Sequence, residues 1–167
     1  MDTVTSAVRS RIMASVGTKN TGPELLLRKA LHGLGLRFRL HSRKLPGSPD
    51  IVLRKFKTVI FVHGCFWHAH GCRLSTFPST RKSFWQEKFT ANTARDLRKT
   101  QLLIDSGWRV ITVWQCALKP PAKCPAVAAR IAAWLPGCRR RLEIPASALP
   151  LRQIRNAGGA ASLAAKD

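Results

Sequence analysis

The run Cys65-Phe66-Trp67-His68-Ala69-His70-Gly71-Cys72 places two thiols and two imidazoles within eight residues, interleaved with two large aromatics. A further thiol, Cys116, follows the apolar stretch 108–114. Thiolates and imidazole are the ligand set of tetrahedral zinc, and loops that gather distant ligands are its usual setting. Cys65 and Cys72 are close enough for one loop to close around an ion, with His70 between them. Cys116 can join if the two strand ends point the same way. Buried thiols kept for packing are the bland alternative, and they account poorly for four clustered donors. Four protein ligands leave no open position, so such an ion is structural rather than catalytic. Cys124 and Cys138 have no local partners and stay outside the set.

Glu24, Asp50, His63, His68 and Asp96 form a second constellation. Singly, each has an ordinary reading. Glu24 in a helix first turn compensates the dipole, Asp50 after a Pro-Gly loop can cap a turn, His63 can be a satisfied strand-end residue, and Asp96 among Arg95, Arg98 and Lys99 can be a surface ion pair. Their convergence is what carries chemistry. If 51–53 and 58–62 pair as an antiparallel hairpin, Asp50 falls opposite Phe61, and His63 ends the strand beside it. A carboxylate facing phosphate holds a divalent cation there, since Mg²⁺ favours one or two carboxylates plus phosphate oxygens. The aromatics Phe66, Trp67 and Trp85 are a third set, because apolar side chains can wedge between base steps or stack on an unpaired base.

The positioning elements follow from periodicity. Gly22-Pro23-Glu24 starts a helix with Pro in its first turn, continued by Leu26, Leu27, Ala30, Leu31 and Leu34 at helical spacing and ended by Gly33 and Gly35. Residues 37–40 make a short strand, and 51–53 and 58–62 two buried strands joined by the basic turn 54–57. A long helix fits 81–106, with Ala91, Ala94, Leu97 and Ile104 on one face and Gly107 as its stop. The near-continuous apolar run 108–114 is a strand covered on both faces, and 126–135 is a last short helix. Residues 1–20 form a basic arm or short helix, 21–136 the folded unit, and 137–167 a loosely ordered tail without periodicity.

At 167 residues the chain is long enough for one compact domain with a real core. A formal net charge of +21, spread along the chain, demands a polyanionic partner. Nucleic acid fits best, because phosphate neutralisation rewards such charge through counterion release. No long apolar run or basic amphipathic helix supports a membrane partner. The first residues hold no signal-peptide core, so a cytoplasmic location at the nucleoid is expected, where five cysteines are metal ligands or free thiols rather than disulfides.

The runs 45–50 (Leu45-Pro46-Gly47-Ser48-Pro49-Asp50), 61–68 (Phe61-Val62-His63-Gly64-Cys65-Phe66-Trp67-His68), 107–110 (Gly107-Trp108-Arg109-Val110) and 114–118 (Trp114-Gln115-Cys116-Ala117-Leu118) resemble the very short patch repair endonucleases, with spacing kept from about Arg9 to Trp134. The resemblance implies the α/β fold of type II restriction endonucleases, a central mixed β-sheet flanked by helices. It implies an enzyme that nicks 5′ to the thymine of T:G mismatches left by deamination of 5-methylcytosine. Asp50 resembles the Mg²⁺-binding aspartate, joined by the Val62 backbone carbonyl, and Val62 itself stands where the family often has Thr. His63 takes the place of the lysine of that fold's E-x-K element, and Phe61 replaces its glutamate. Glu24 resembles the helix glutamate that, with His63, positions metal-bound water; His68 resembles the general base and Asp96 its orienting partner. Cys65, His70, Cys72 and Cys116 resemble structural Zn²⁺ ligands. Phe66, Trp67 and Trp85 resemble the intercalating aromatics, with Met13 pressing from the other groove and Arg9 and Arg11 on the DNA. Implied partners are mismatched double-stranded DNA, a companion cytosine-5 methyltransferase and a repair polymerase and ligase, with the enzyme itself a monomer.

Three rivals stand beside this. A catalytically inactive, zinc-containing binding module would bind mismatches and ignore Mg²⁺. A restriction endonuclease would cut both strands of matched DNA and need a dimer. A ribosome-associated basic protein would not need the Cys–His cluster.

Overall fold

The computed structural model describes Val8, Arg11, Gly17 and residues 19–145. Arg9 and Met13 lie outside the described residues, whereas Arg11 is helical and exposed. Strands β1 (Arg39–Leu40), β2 (Ile51–Leu53), β3 (Thr58–His63), β4 (Arg109–Trp114) and β5 (Arg141–Ile144) form one sheet in the order β1-β2-β3-β4-β5. The first three pair antiparallel, and β4 and β5 continue the sheet parallel to β3. Parallel neighbours need crossover connections. Helix α2 (Lys82–Asp105) supplies the one from β3 to β4, and α3 (Cys124–Trp134) the one from β4 to β5. Helix α1 (Gly22–Gly33) precedes the sheet in the chain.

Side-chain alternation divides the core into two layers. Ile51, Leu53, Ile60, Ile111, Val113 and Ile144 face Leu27 and Leu31 of α1 and Val127, Ala128 and Ile131 of α3. Val52, Val59, Phe61 and Val110 face Leu103 and Ile104 of α2. The apolar run 108–114 is therefore covered on both faces, as its composition implies. The same parity decides where chemistry can sit. His63 shares a face with Val59 and Phe61 and so projects toward the α2 layer, whereas Asp50, just before β2, lies beside Glu24 of α1 and His41.

Two sequence expectations need correction. The inner face of α2 is not the Ala91–Ala94–Leu97 stripe: Ala91 and Ala94 are exposed and Leu97 is 46% exposed. Instead Trp85, Phe89, Asn92, Asp96, Lys99 and Leu103, also at helical spacing, turn inward. Much of that face is polar because it closes a cleft rather than a core. The second correction concerns the tail. Arg141–Ile144, inside the stretch read as loosely ordered, is β5 and pairs with β4 along its length. Its four residues are too few to show a period, although Leu142 and Ile144 pack inward on the α1/α3 side.

Candidate active site and metal-ligand cluster

The hairpin register sets the first part of the site. Ile51 pairs with Ile60, which puts Asp50 opposite Phe61, as the hairpin predicts. The Asp50 carboxylate accepts a hydrogen bond from the Val62 backbone N–H at 2.8 Å. Burial pushes its pKa up to about 6, Glu24 adds to the rise, and the Val62 N–H and the Arg28 charge work against it. A carboxyl held this far from its ordinary value gains from a cation that replaces its proton.

Glu24 reaches the same place from the first turn of α1. It is 2% exposed, and its carboxylate accepts from the Asn20 backbone N–H at 3.0 Å, from Thr21 Oγ1 at 3.0 Å and from Arg28 at 2.6 Å. This is far more than dipole compensation: three groups fix a buried charge at the cleft edge. Arg28 also donates to His41 Nε2 at 3.0 Å, and His41 Nδ1 lies 4.0 Å from Asp50 Oδ1. Ligand atoms of Glu24, His41 and Asp50 all lie within 4.8 Å of one another.

Opposite them, His63 and His68 stack with ring centroids 4.0 Å apart and planes 2° from parallel. His68 Nδ1 bonds Asp96 Oδ2 on α2. Burial, with the neighbouring His68, lowers the His63 pKa to about 3, so its ring stays neutral. Burial alone would raise the Asp96 pKa, but the bond to His68 and the charges around it bring it below the ordinary value. An imidazole bonded at Nδ1 to an ionised carboxylate keeps Nε2 free to take a proton. Glu24, Asp50, His63, His68 and Asp96 all line one cleft of about 750 Å³, together with Val62, Trp67, Gln115 and Lys99.

The cysteine cluster lies directly behind this cleft. Since β3 and β4 are parallel and His63 pairs with Trp114, Cys65 and Cys116 each follow two residues past a paired position. Residues 65–72 curl back through left-handed Ala69 (φ 49°) and Gly71 (φ 80°). That brings donor atoms of Cys65, His70, Cys72 and Cys116 within 4.8 Å of one another. Backbone N–H groups of Cys116 and Leu74 point at Cys65 Sγ and Cys72 Sγ, each at 3.4 Å. Burial drives the Cys65 pKa up to about 12 and raises Cys116 too, so without a cation to replace the protons both stay neutral thiols. Three thiols, one imidazole and N–H donors to sulfur fit a tetrahedral soft cation, which would ionise the thiols.

Phe66, Trp67 and Trp85 come together as expected. Phe66 meets Trp67 and Trp85, each at a ring-centroid distance of 5.2 Å, and Phe89 at 5.5 Å. Asn92 Nδ2 donates to the Trp67 carbonyl at 2.9 Å and holds the loop on α2. His41, Asn92, Lys99 and Gln115 escaped sequence reasoning. Asn92 and Lys99 carried a usable signal, since they fall on the helical face that holds Trp85, Phe89 and Asp96; His41 and Gln115 carried none.

A family model described as DNA mismatch endonuclease Vsr matches residues 1–74. The chain is 53% identical over 110 residues to the type II nicking enzyme V.XorIIP of Xanthomonas oryzae, covering 66% of this chain and 81% of that protein. It is 44% identical over 133 residues to the DNA mismatch endonuclease Vsr of Escherichia coli, covering 78% and 85%. The type II nicking enzyme V.NmeAIP of Neisseria meningitidis is 44% identical over 123 residues, covering 74% and 88%.

Proposed function

As the chain belongs to the DNA mismatch endonuclease Vsr family and is a DNA endonuclease, we propose that its cleft hydrolyses the phosphodiester 5′ to the thymine of a T:G mismatch. One observation carries the reading: a single cleft joins a raised carboxyl, Asp50, to the His68–Asp96 pair, with Trp67 of the aromatic cluster in its wall. Mg²⁺ held by Asp50 and the Val62 carbonyl would neutralise charge on the phosphate oxygens. His68 takes the proton of the attacking water at Nε2, while Asp96 fixes the tautomer and stabilises the imidazolium. His63, neutral and stacked on His68, sets the ring plane without adding a repelling charge, and Glu24 orders water from the opposite wall.

The fold in this reading is that of the restriction endonucleases, with the enzymatic unit running on through β5. Cys65, His70, Cys72 and Cys116 hold a structural Zn²⁺ that fixes the loop bearing both His68 and the aromatics. Phe66, Trp67 and Trp85 pry at the mismatch, where a wobble pair resists opening less than a matched one. Met13 acts from the other groove, and Arg9 and Arg11 neutralise phosphates. The lesions arise from 5-methylcytosine, so a cytosine-5 methyltransferase sets the context, and a polymerase and ligase finish the repair. The enzyme works as a monomer at the nucleoid.

The test is a strand-resolved cleavage assay with Mg²⁺ on duplexes carrying one T:G mismatch, beside T:A and C:G controls. A nick confined to the T strand, lost in EDTA and in Asp50→Ala, is the expected result. Mismatch binding without cutting makes the chain a binding module; cutting of both matched strands makes it a restriction enzyme.

A further inference from the structure

The cleft contains a half-buried cation that none of these roles uses. Lys99 lies on the inner face of α2, one turn beyond Asp96, and lines the cleft with Thr100. Its stem is pinned. A Cβ built on Gly47 would come within 3.0 Å of Lys99 Cδ and 3.2 Å of the Phe61 ring, so the aliphatic chain packs between the Asp50 loop and β3. Gly47 has φ +80°, which also reserves that position for glycine.

The far end of the side chain has no protein partner among the described residues. Three carboxylates, Glu24, Asp50 and Asp96, share the cleft, yet the Lys99 ammonium makes no ion pair or hydrogen bond among the described residues. Its charge still reaches the site. Behind the larger effects of burial and of the His68–Asp96 contact, it helps keep His63 neutral and Asp96 ionised. Of the other nearby cations, Arg28 is already bound to Glu24, Asn20 and His41, and Lys19 lines the cleft from an exposed position rather than from the inner face of α2. A lysine stem held in the cleft presents its ammonium, unpaired by protein, to an anion that enters.

We propose that Lys99 is a further catalytic residue whose ammonium contacts a non-bridging oxygen of the scissile phosphate, between Asp50 and the His68–Asp96 pair. It rests on the phosphodiesterase reading above and adds a fixed positive charge where negative charge accumulates in the transition state. Such preorganised charge acts on the rate more than on binding, because it costs no reorganisation when the reaction occurs.

Lys99→Met keeps the stem against Gly47 and Phe61 and removes only the charge. Its single-turnover nicking rate should fall about 10²-fold, well beyond any loss of affinity for the natural duplex, and Lys99→Arg should recover part of the loss. A second measurement works without turnover. In EDTA, a duplex with a neutral methylphosphonate 5′ to the mismatched thymine should bind wild type more weakly than the natural duplex, and that penalty should vanish in Lys99→Met. A Lys99→Met rate equal to wild type, or the same methylphosphonate penalty in both proteins, overturns the proposal. If wild type nicks nothing, the reaction reading fails, while the methylphosphonate comparison still decides whether Lys99 meets that phosphate.

Discussion

Trp114 Nε1 donates a hydrogen bond to Glu143 Oε1 at 2.6 Å, from the last residue of β4 to a residue of β5. The same indole stacks on His70 at 4.1 Å and meets His63 edge-on at 5.3 Å, so one ring touches both the cysteine cluster and the histidine pair. Glu143 projects to this side because Leu142 and Ile144 take the other. Glu143→Ala should strand a buried N–H and cost about 1–3 kcal/mol in denaturant unfolding. It should also speed loss of bound metal to a chelator, and Glu143→Gln, which keeps an acceptor, should restore most of both. Wild-type stability in Glu143→Ala would show that the bond holds nothing.

Cys72→Ser tests the metal cluster. The purified protein should carry one zinc per chain, and the variant should lose it and melt lower, since structural zinc contributes folding energy directly. Thiol labelling gives a second view. Exposed Cys138 should react first, and buried Cys124, whose thiol burial pushes upward and whose Sγ faces the Leu118 carbonyl, should react last. Chelation should add Cys72 and Cys116 to the reactive set. A stable, zinc-free Cys72→Ser would remove the site.

Asp50→Asn should trade activity for stability. The folded carboxyl titrates near 6 against an ordinary 3.8. Between those values the folded state holds more protons than the unfolded one, so stability falls as pH rises through that window and the full penalty stands above it. Asparagine retains an oxygen for the Val62 N–H and carries no charge. In metal-free buffer at neutral pH it should gain about 1–3 kcal/mol, with no gain below the unfolded value, and nicking should be abolished. Equal stability at all pH values would mean that Asp50 is not strained by its burial.

Asp96→Asn leaves His68 in place but withdraws the charge that sets its tautomer. The nicking rate should drop by about 10²–10⁴ while mismatch affinity holds. An undiminished rate would take His68 and Asp96 out of the proton transfer.

Trp67→Ala should lower the preference for T:G over T:A duplexes by roughly tenfold, in line with about 1–3 kcal/mol per stacked base. Competition binding in EDTA measures the ratio directly. An unchanged ratio would leave the aromatic cluster a packing feature.

Much of this was legible locally. Cys65, His70 and Cys72 declare themselves by spacing, Asp50 meets Phe61 through a hairpin whose short turn allows little slack, and apolar runs mark the inner strands. These signals are short-range, and the chain's own geometry enforces them. What the tertiary structure alone decided depends on the crossovers. Parallel pairing of β3 with β4 sends Cys116 to the cluster, and the rotation of α2 against the sheet turns Asp96 and Lys99 inward while Leu97 faces water. A helix with apolar residues on several faces does not state which one is buried; the packing of Phe89, Leu103 and Ile104 settles that. Glu143 had no signal at all, because a four-residue strand earns its place only by pairing with β4.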